Sequence, residues 1–178
     1  MEKTNHREVF SMYDELTEVD VRKMREEIDY RIQVLRPKLI QDVQTARAFG
    51  DLSENFEYKC AKQEKNRNES RIRYLQRMVS TAKVIPVADS GEDTVGLFDK
   101  VAVFHEKLGR EMTLRIVTTL RADAGKGLIS KESPVGKALL GRKTGERVRV
   151  KAGEVQYDMV VRSIEKGEDD ESLEIRRY

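Results

Sequence analysis

Gly50-Asp51-Leu52-Ser53-Glu54-Asn55-Phe56-Glu57-Tyr58 falls between two long helical patterns, and its placement there decides how the first half of the chain folds. Upstream, Met24, Ile28, Leu35, Leu39, Val43 and Ala46 recur at spacings of three, four or seven, the mark of a helix with one apolar stripe. Downstream, Tyr58, Ala61, Ile72, Leu75, Val79 and Ala82 define a second stripe of the same kind. The spacing predicts helices over 16–49 and 53–84, paired as a long antiparallel coiled-coil hairpin. Gly50 suits the turn, because a left-handed backbone costs glycine little. Pro37 should kink or split the first helix and Pro86 close the second. A helix of about 30 residues is on the order of 45 Å long, so the turn should stand far from the hairpin's base. Lys65 and Asn68 fall on the second stripe, which predicts a weaker seam toward the turn.

Beyond the hairpin, Ala88-Asp89-Ser90-Gly91-Glu92-Asp93 has the small, acidic composition of a linker, assigned to 87–94. Residues 100–104, 111–118, 147–151 and 154–164 alternate apolar and polar side chains with β-branched content, as strands do. Ser133-Pro134-Val135-Gly136-Lys137-Ala138-Leu139-Leu140-Gly141 reads as a short helix with a serine cap, proline in its first turn and a closing glycine. The expected fold is therefore α+β, a helical hairpin over 16–86 followed by an antiparallel sheet with one helix over 95–166. Residues 1–15 form an N-terminal extension, either frayed or a short helix, and 167–178 a mobile tail.

Bulk composition bounds the function. The 178 residues are 38% hydrophobic and 37% charged, with 34 Lys and Arg against 32 Asp and Glu, which excludes a polycationic duplex-DNA binder and leaves room for local nucleic-acid contacts. A single cysteine, Cys60, permits no internal disulfide, and no run approaches the roughly 20 apolar residues that span a bilayer. These features point to the cytoplasm and to no membrane partner. His6 and His105 have no cysteines at metal-ligand spacing, so a zinc site is not expected.

Asp51 and Glu54 carry the chemistry of the turn. Two carboxylates three residues apart can share a hard divalent cation, though too few to hold it tightly, so the remaining ligands would come from a partner. The same spacing also serves an N-terminal capping arrangement, and spacing alone favours that blander reading. Ser53 and Asn55 can likewise bond water or cap the second helix. Between Lys59 and Arg77 the second helix bears seven basic residues, Lys59, Lys62, Lys65, Arg67, Arg71, Arg73 and Arg77, against the acids Glu64 and Glu69. Either they meet phosphates without sequence preference or they form a solvated face. Phe56 and Tyr58 could stack a base, with Tyr58 equally suited to the seam.

The turn motif, the step Arg36-Pro37, Arg71-Ile72-Arg73-Tyr74-Leu75 and Lys83-Val84-Ile85 resemble the hairpin of the bacterial GreA/GreB transcript-cleavage factors. Ile129-Ser130, Ser133-Pro134, Ala138-Leu139-Leu140-Gly141 and Lys143-Thr144-Gly145-Glu146 resemble the FKBP-like domain of the same family. The resemblance implies a monomer that enters the secondary channel of bacterial RNA polymerase and meets the 3′ end of the nascent RNA. There, Asp51 and Glu54 would lend carboxylates to a Mg²⁺ ion shared with the polymerase active site, with Gly50, Ser53, Asn55, Phe56 and Tyr58 supporting the tip and no cofactor tightly bound. Lys59, Lys62, Lys65, Arg67, Arg71 and Arg73 would lie along RNA. Glu132, Ser133, Pro134 and Val135 would dock on the coiled-coil rim of the channel. Phe56 departs from the small residue usual in the family at that place. A channel-occupying paralogue without cleavage, and a coiled-coil adaptor with a peptide-binding or isomerase-like domain, are the alternatives.

Overall fold

The structure, a computed structural model, describes residues 15–48, 55–169 and 171–175. The chain divides into two compact units, one containing Met24–Lys83 and the other Glu15–Lys23 together with the chain from Val84 onward. Residues 16–23, placed with the hairpin on sequence grounds, thus group with the second unit. Of the N-terminal extension, only Glu15 lies within the described residues. Among those residues, no helix is long and apolar enough to cross a membrane.

The first unit is a helical hairpin. Helix α1 spans Glu18–Tyr30, passes through a π-helical turn at Arg31–Leu35 and continues as α2, Arg36–Arg47. The Arg36 N–H donates to the Arg31 carbonyl, five residues back. Pro37 explains the break. It sits in the first turn of α2, where its missing N–H costs nothing, and the widened turn before it keeps carbonyls clear of its ring. Helix α3, Phe56–Thr81, is about 39 Å long at 1.5 Å per residue. It ends before Pro86, where Ala82 turns extended and leads into the strand Lys83–Val84, and the hydroxyls of Ser80 and Thr81 donate to the Arg77 carbonyl of its last turn at 2.8 and 3.0 Å.

Along the seam, Met24, Leu39, Ala46, Ile72 and Leu75 are buried. The expected weak point is instead a polar layer. Asn68 is buried and accepts a 3.0 Å bond from Arg31 through Oδ1. Glu27 takes both prongs of Arg71, 3.0 Å each, and the Nε of Arg31 at 2.7 Å. One turn along, Arg36 forks onto Glu69 at 2.7 and 2.8 Å.

The second unit is built on a five-stranded sheet in the order β5-β4-β3-β7-β6. Its strands are β3 Lys100–His105, β4 Arg110–Val117, β5 Leu128–Ser130, β6 Arg147–Ala152 and β7 Val155–Glu165, after the two-residue β1 Glu15–Leu16 and β2 Lys83–Val84. The pairs are antiparallel except β4 with β5, which is parallel, so the sheet is mixed rather than wholly antiparallel. Alternate residues Val101, Val103, Val148, Val150, Met159 and Val161 share one buried face with Val95 and Leu139, and Leu139 belongs to α4, Pro134–Leu139. The tail expected to be mobile is held against this unit wherever it is described. Gly167 donates its N–H to Asp99, Asp169 meets Arg121 and Ile175 is buried.

The polar layer makes hairpin stability depend on pH. Burial alone would push the Glu27 carboxyl up, but the hydrogen bonds from Arg71 and Arg31 outweigh it and hold the group below its ordinary 4.5. Bonding to Arg36 does the same for Glu69. A carboxyl whose folded pKa is depressed adds stability above its unfolded pKa and loses that contribution as pH falls through the folded one. At pH 7, Glu27→Gln should therefore cost about 2 kcal/mol, the scale of a hydrogen-bonded charge. The gap to wild type should shrink below pH 4.5. Thermal melts followed at 222 nm across pH 3 to 7 measure it, and a gap independent of pH would contradict the assignment.

Candidate functional site

Asp51 and Glu54, with Gly50 and Ser53, lie outside the described residues, so the site is built here from the helix ends on either side. Asn55 is the N-cap of α3, and its Oδ1 accepts the Tyr58 N–H at 2.9 Å. Its Nδ2 donates to the Ala46 carbonyl at 2.8 Å. A helix start leaves N–H groups without partners and a helix end leaves carbonyls. One side chain thus serves an orphan on each helix and ties them together at the distal end. Since α3 takes its cap from Asn55, it has no need of Asp51 for that purpose.

Phe56 follows at the first helical position with 76% of its surface exposed, unusual for a side chain so apolar. Tyr58 is half-buried, and the Lys62 ammonium lies 5.8 Å from its ring centre. Of the basic residues, Lys59, Lys62, Arg67, Arg73 and Arg77 are exposed, and Lys65 is half-buried. Lys59, Lys62, Arg73 and Arg77 lie within one narrow stripe at helical spacing. Arg71 does not join them. It is buried with its guanidinium on Glu27, and it braces the hairpin rather than facing solvent. Among the described residues, no group of three or more His, Cys, Asp or Glu side chains is placed to hold a metal ion.

In the second unit, the Oγ of Ser133 accepts the Gly136 N–H at 3.0 Å and donates to the Ser130 carbonyl at 2.7 Å, which caps α4 and folds the loop before it. Gly136 is required there, because a Cβ would stand 2.1 Å from the Ser130 oxygen. Pro134 is exposed and Glu132 pairs with Lys137 at 3.1 Å. Val135 is half-buried against the sheet core, so it is less of a free knob than its sequence position suggests.

Sequence reasoning missed a buried cluster around Arg121. Thr17 and Asp20 cap α1 reciprocally, each backbone N–H bonding the other's side chain at 3.2 Å. The Thr-x-x-Asp spacing was legible as a capping box. Asp20 also takes the Arg121 Nε at 2.5 Å, Asp169 approaches the same guanidinium at 2.6 Å, and the Phe98 ring lies 5.0 Å from it. No local spacing announces those partners.

Fold and site together define a protein of two parts, a helical hairpin with an acidic turn in its sequence and a mixed-sheet unit with a capped helix packed on its buried face. A family model described as "Transcription elongation factor, N-terminal" matches residues 15–84, and one described as "Transcription elongation factor, GreA/GreB, C-term" matches residues 90–166. The transcription elongation factor GreA of Caldanaerobacter subterraneus subsp. tengcongensis is 44% identical over 135 residues, 76% of this chain and 86% of that protein. GreA of Mesoplasma florum is 34% identical over 149 residues, 84% of this chain and 96% of that one. The solved GreA factor homolog 1 of Thermus thermophilus overlays 86% of this chain and 99% of its own at 22% identity, with a TM-score of 0.40. The chain belongs to the GreA/GreB family of transcription elongation factors.

Asn55→Ala should remove the cap and the bond across the hairpin together, costing about 2 kcal/mol. Asn55→Asp keeps an acceptor for the Tyr58 N–H and loses the donor to Ala46, so it should melt between wild type and the alanine variant. Equal melting of the two variants would deny the cross-hairpin bond its role.

Proposed function

We propose that this protein enters the secondary channel of RNA polymerase and stimulates the polymerase's own cleavage of backtracked nascent RNA. It is not itself the enzyme; it lends Asp51 and Glu54 to the polymerase centre. The observation that carries the reading is the pairing of an acidic turn with a hairpin whose helix ends are tied by Asn55, in a chain both halves of which match the family in order.

Asp51 and Glu54 are oxygen donors of the hard kind that Mg²⁺ accepts, and two of them leave most of an octahedral shell to polymerase and water. When bound there, Mg²⁺ would lower the pKa of a coordinated water and offset charge on the scissile phosphate. This chain's contribution is positional. The clasp at Asn55 limits how far the two helix ends can part, and so keeps the carboxylates on a stem of fixed width. Lys59, Lys62, Arg73 and Arg77 present a run of cations without an intervening acid in their stripe, suited to phosphates of the extruded strand. Phe56, two residues after Glu54 in sequence, offers an exposed ring face on which an unpaired 3′ base can stack. The sheet unit supplies the docking element Glu132–Val135, of which Pro134 is the exposed apolar part.

Added to backtracked elongation complexes of the cognate polymerase with Mg²⁺, the wild type should release 3′ RNA fragments rapidly. The Asp51→Asn/Glu54→Gln variant should bind as well and cleave at least about a hundredfold more slowly, the scale of removing groups that act in the transition state. Binding without cleavage by the wild type would assign a channel-occupying role, and no binding would end both polymerase readings. Phe56→Ala, in the same assay, should raise the factor concentration needed for half-maximal cleavage by about fivefold to tenfold while leaving the saturated rate nearly unchanged, as loss of one stacking contact predicts.

A further inference from the structure

The family's C-terminal model ends at residue 166, but the chain continues as Gly167-Glu168-Asp169-Asp170-Glu171-Ser172-Leu173-Glu174-Ile175. This stretch contains neither helix nor strand among its described residues, and it is nevertheless held at both of its described parts, 167–169 and 171–175. Gly167 donates to Asp99 at 3.0 Å, and it crosses the Phe98 backbone so closely that a Cβ would stand 2.0 Å from that carbonyl oxygen. Arg115 donates to the Glu168 carbonyl at 3.1 Å, and Asp169 lies 2.6 Å from Arg121. Arg22 pairs with the Glu171 carboxylate, while Lys23 donates to the Glu171 carbonyl and, at 2.7 Å, to that of Leu173.

The stretch ends at an open groove of about 760 Å³. Glu174 and Ile175 form part of its wall, with the loop from Arg121 to Lys126, the strand residues Leu128–Ser130, and Ser133 and Val135 at the head of α4. Ile175 is 9% exposed, although it follows a run of mostly acidic residues that gain nothing from burial. A charged run that pairs with Arg22, Lys23 and Arg121 and then seats one isoleucine has the composition of a strap with an apolar anchor. The groove it reaches includes two of the four residues read above as the polymerase-docking element.

We propose that residues 167–175 are a cis-acting strap that walls and narrows this groove and competes with RNA polymerase for it, so that docking requires the strap to lift. The proposal rests on the docking role assigned to Glu132–Val135. Lifting the strap widens the groove beside Val135 and releases Arg22 and Lys23. The exposed pair of Arg22 with Glu171 adds little, being open to water and salt, whereas the half-buried Lys23 holds two backbone carbonyls of the strap. Burial of Ile175 acts together with the bonds that Lys23, Arg115 and Arg121 make to the segment, and a preference of about tenfold for the seated form is the effect the test reads. A factor competent only when open binds more weakly in that same proportion.

Three forms test it: the full chain, a chain ending after Asp169, and the full chain with Ile175→Glu. The truncation keeps Asp169 beside Arg121 and so leaves that buried contact intact. Affinity for the cognate core polymerase is measured at equilibrium, and amide exchange over residues 128–135 is followed in the free proteins. Both altered forms should exchange faster over 128–135 and bind about tenfold tighter. Unchanged exchange in both would overturn the strap's hold on the groove. Faster exchange with equal or weaker binding would overturn the competition, while leaving the polymerase reading intact. Failure of all three forms to bind would remove the polymerase reading and this proposal with it.

Discussion

Two helices side by side share one seam, and apolar residues at three- and four-residue spacing fit that seam nearly as well after a slip of one turn. A hairpin therefore needs something that fits only once, and in this protein it is the fork of Arg71 onto Glu27, extended by Arg31 to Asn68. A slipped pairing would strand a half-buried carboxylate or an almost fully buried guanidinium, a cost well above that of an imperfect apolar fit. Polar residues inside a helical seam trade some stability for a single register in this way. The placement of the layer also follows from the chain. Pro37 forces the π turn at Arg31–Leu35, and the widened turn carries Arg31 itself, so the irregular stretch of the first helix is where side-chain bonds take over from regular packing.

The sheet unit solves a similar problem with one buried cation. Arg121 has no exposed surface, which would be ruinous for an isolated charge, but Asp20 and Asp169 flank it and the Phe98 ring lies close by. Three segments far apart in sequence thereby meet: the start of α1, the turn after β4, and the stretch beyond the last strand. Asp20 is already committed to the capping box with Thr17, so one carboxylate both begins a helix and anchors the domain that follows it.

The helices, the turn and most strands were legible because each rests on local periodicity. The stripe from Met24 to Ala46 is buried or half-buried throughout. What sequence reading missed was set by distant partners or by short competing bonds. Arg71 counts as one more cation in a basic run until it is placed three residues after Asn68 and four before Leu75, on the flank of the buried stripe. Asn68 looked like a flaw in the seam because its partner, Arg31, lies 37 residues away. The second helix is shorter than its periodicity predicts, since Asn55 caps its start and at its end Ala82 turns extended and leads into β2. Strand β5 has three residues, too few to show alternation, and with it went the parallel edge of the sheet. The acidic tail read as solvated because its composition is, and only Arg22, Lys23 and Arg121 reveal otherwise.

The function proposed above would set the hairpin two demands that a single surface could not meet. Carboxylates that are to serve a metal must stay ionised and unpaired, which argues against cations within reach of them. A stem that is to lie along RNA needs those same cations. In this chain the nearest exposed cation on α3 is Lys59, a full turn beyond the Asn55 cap, and the intervening exposed side chains are Phe56 and Glu57. An aromatic spacer there adds no charge, so it neither neutralises the acids nor repels a phosphate, and its ring face suits any base. On the function proposed above, the order acid, cap, ring, acid, cation would set oxygen ligands at the tip and cations along the stem, with Glu57 the one charge between Phe56 and Lys59.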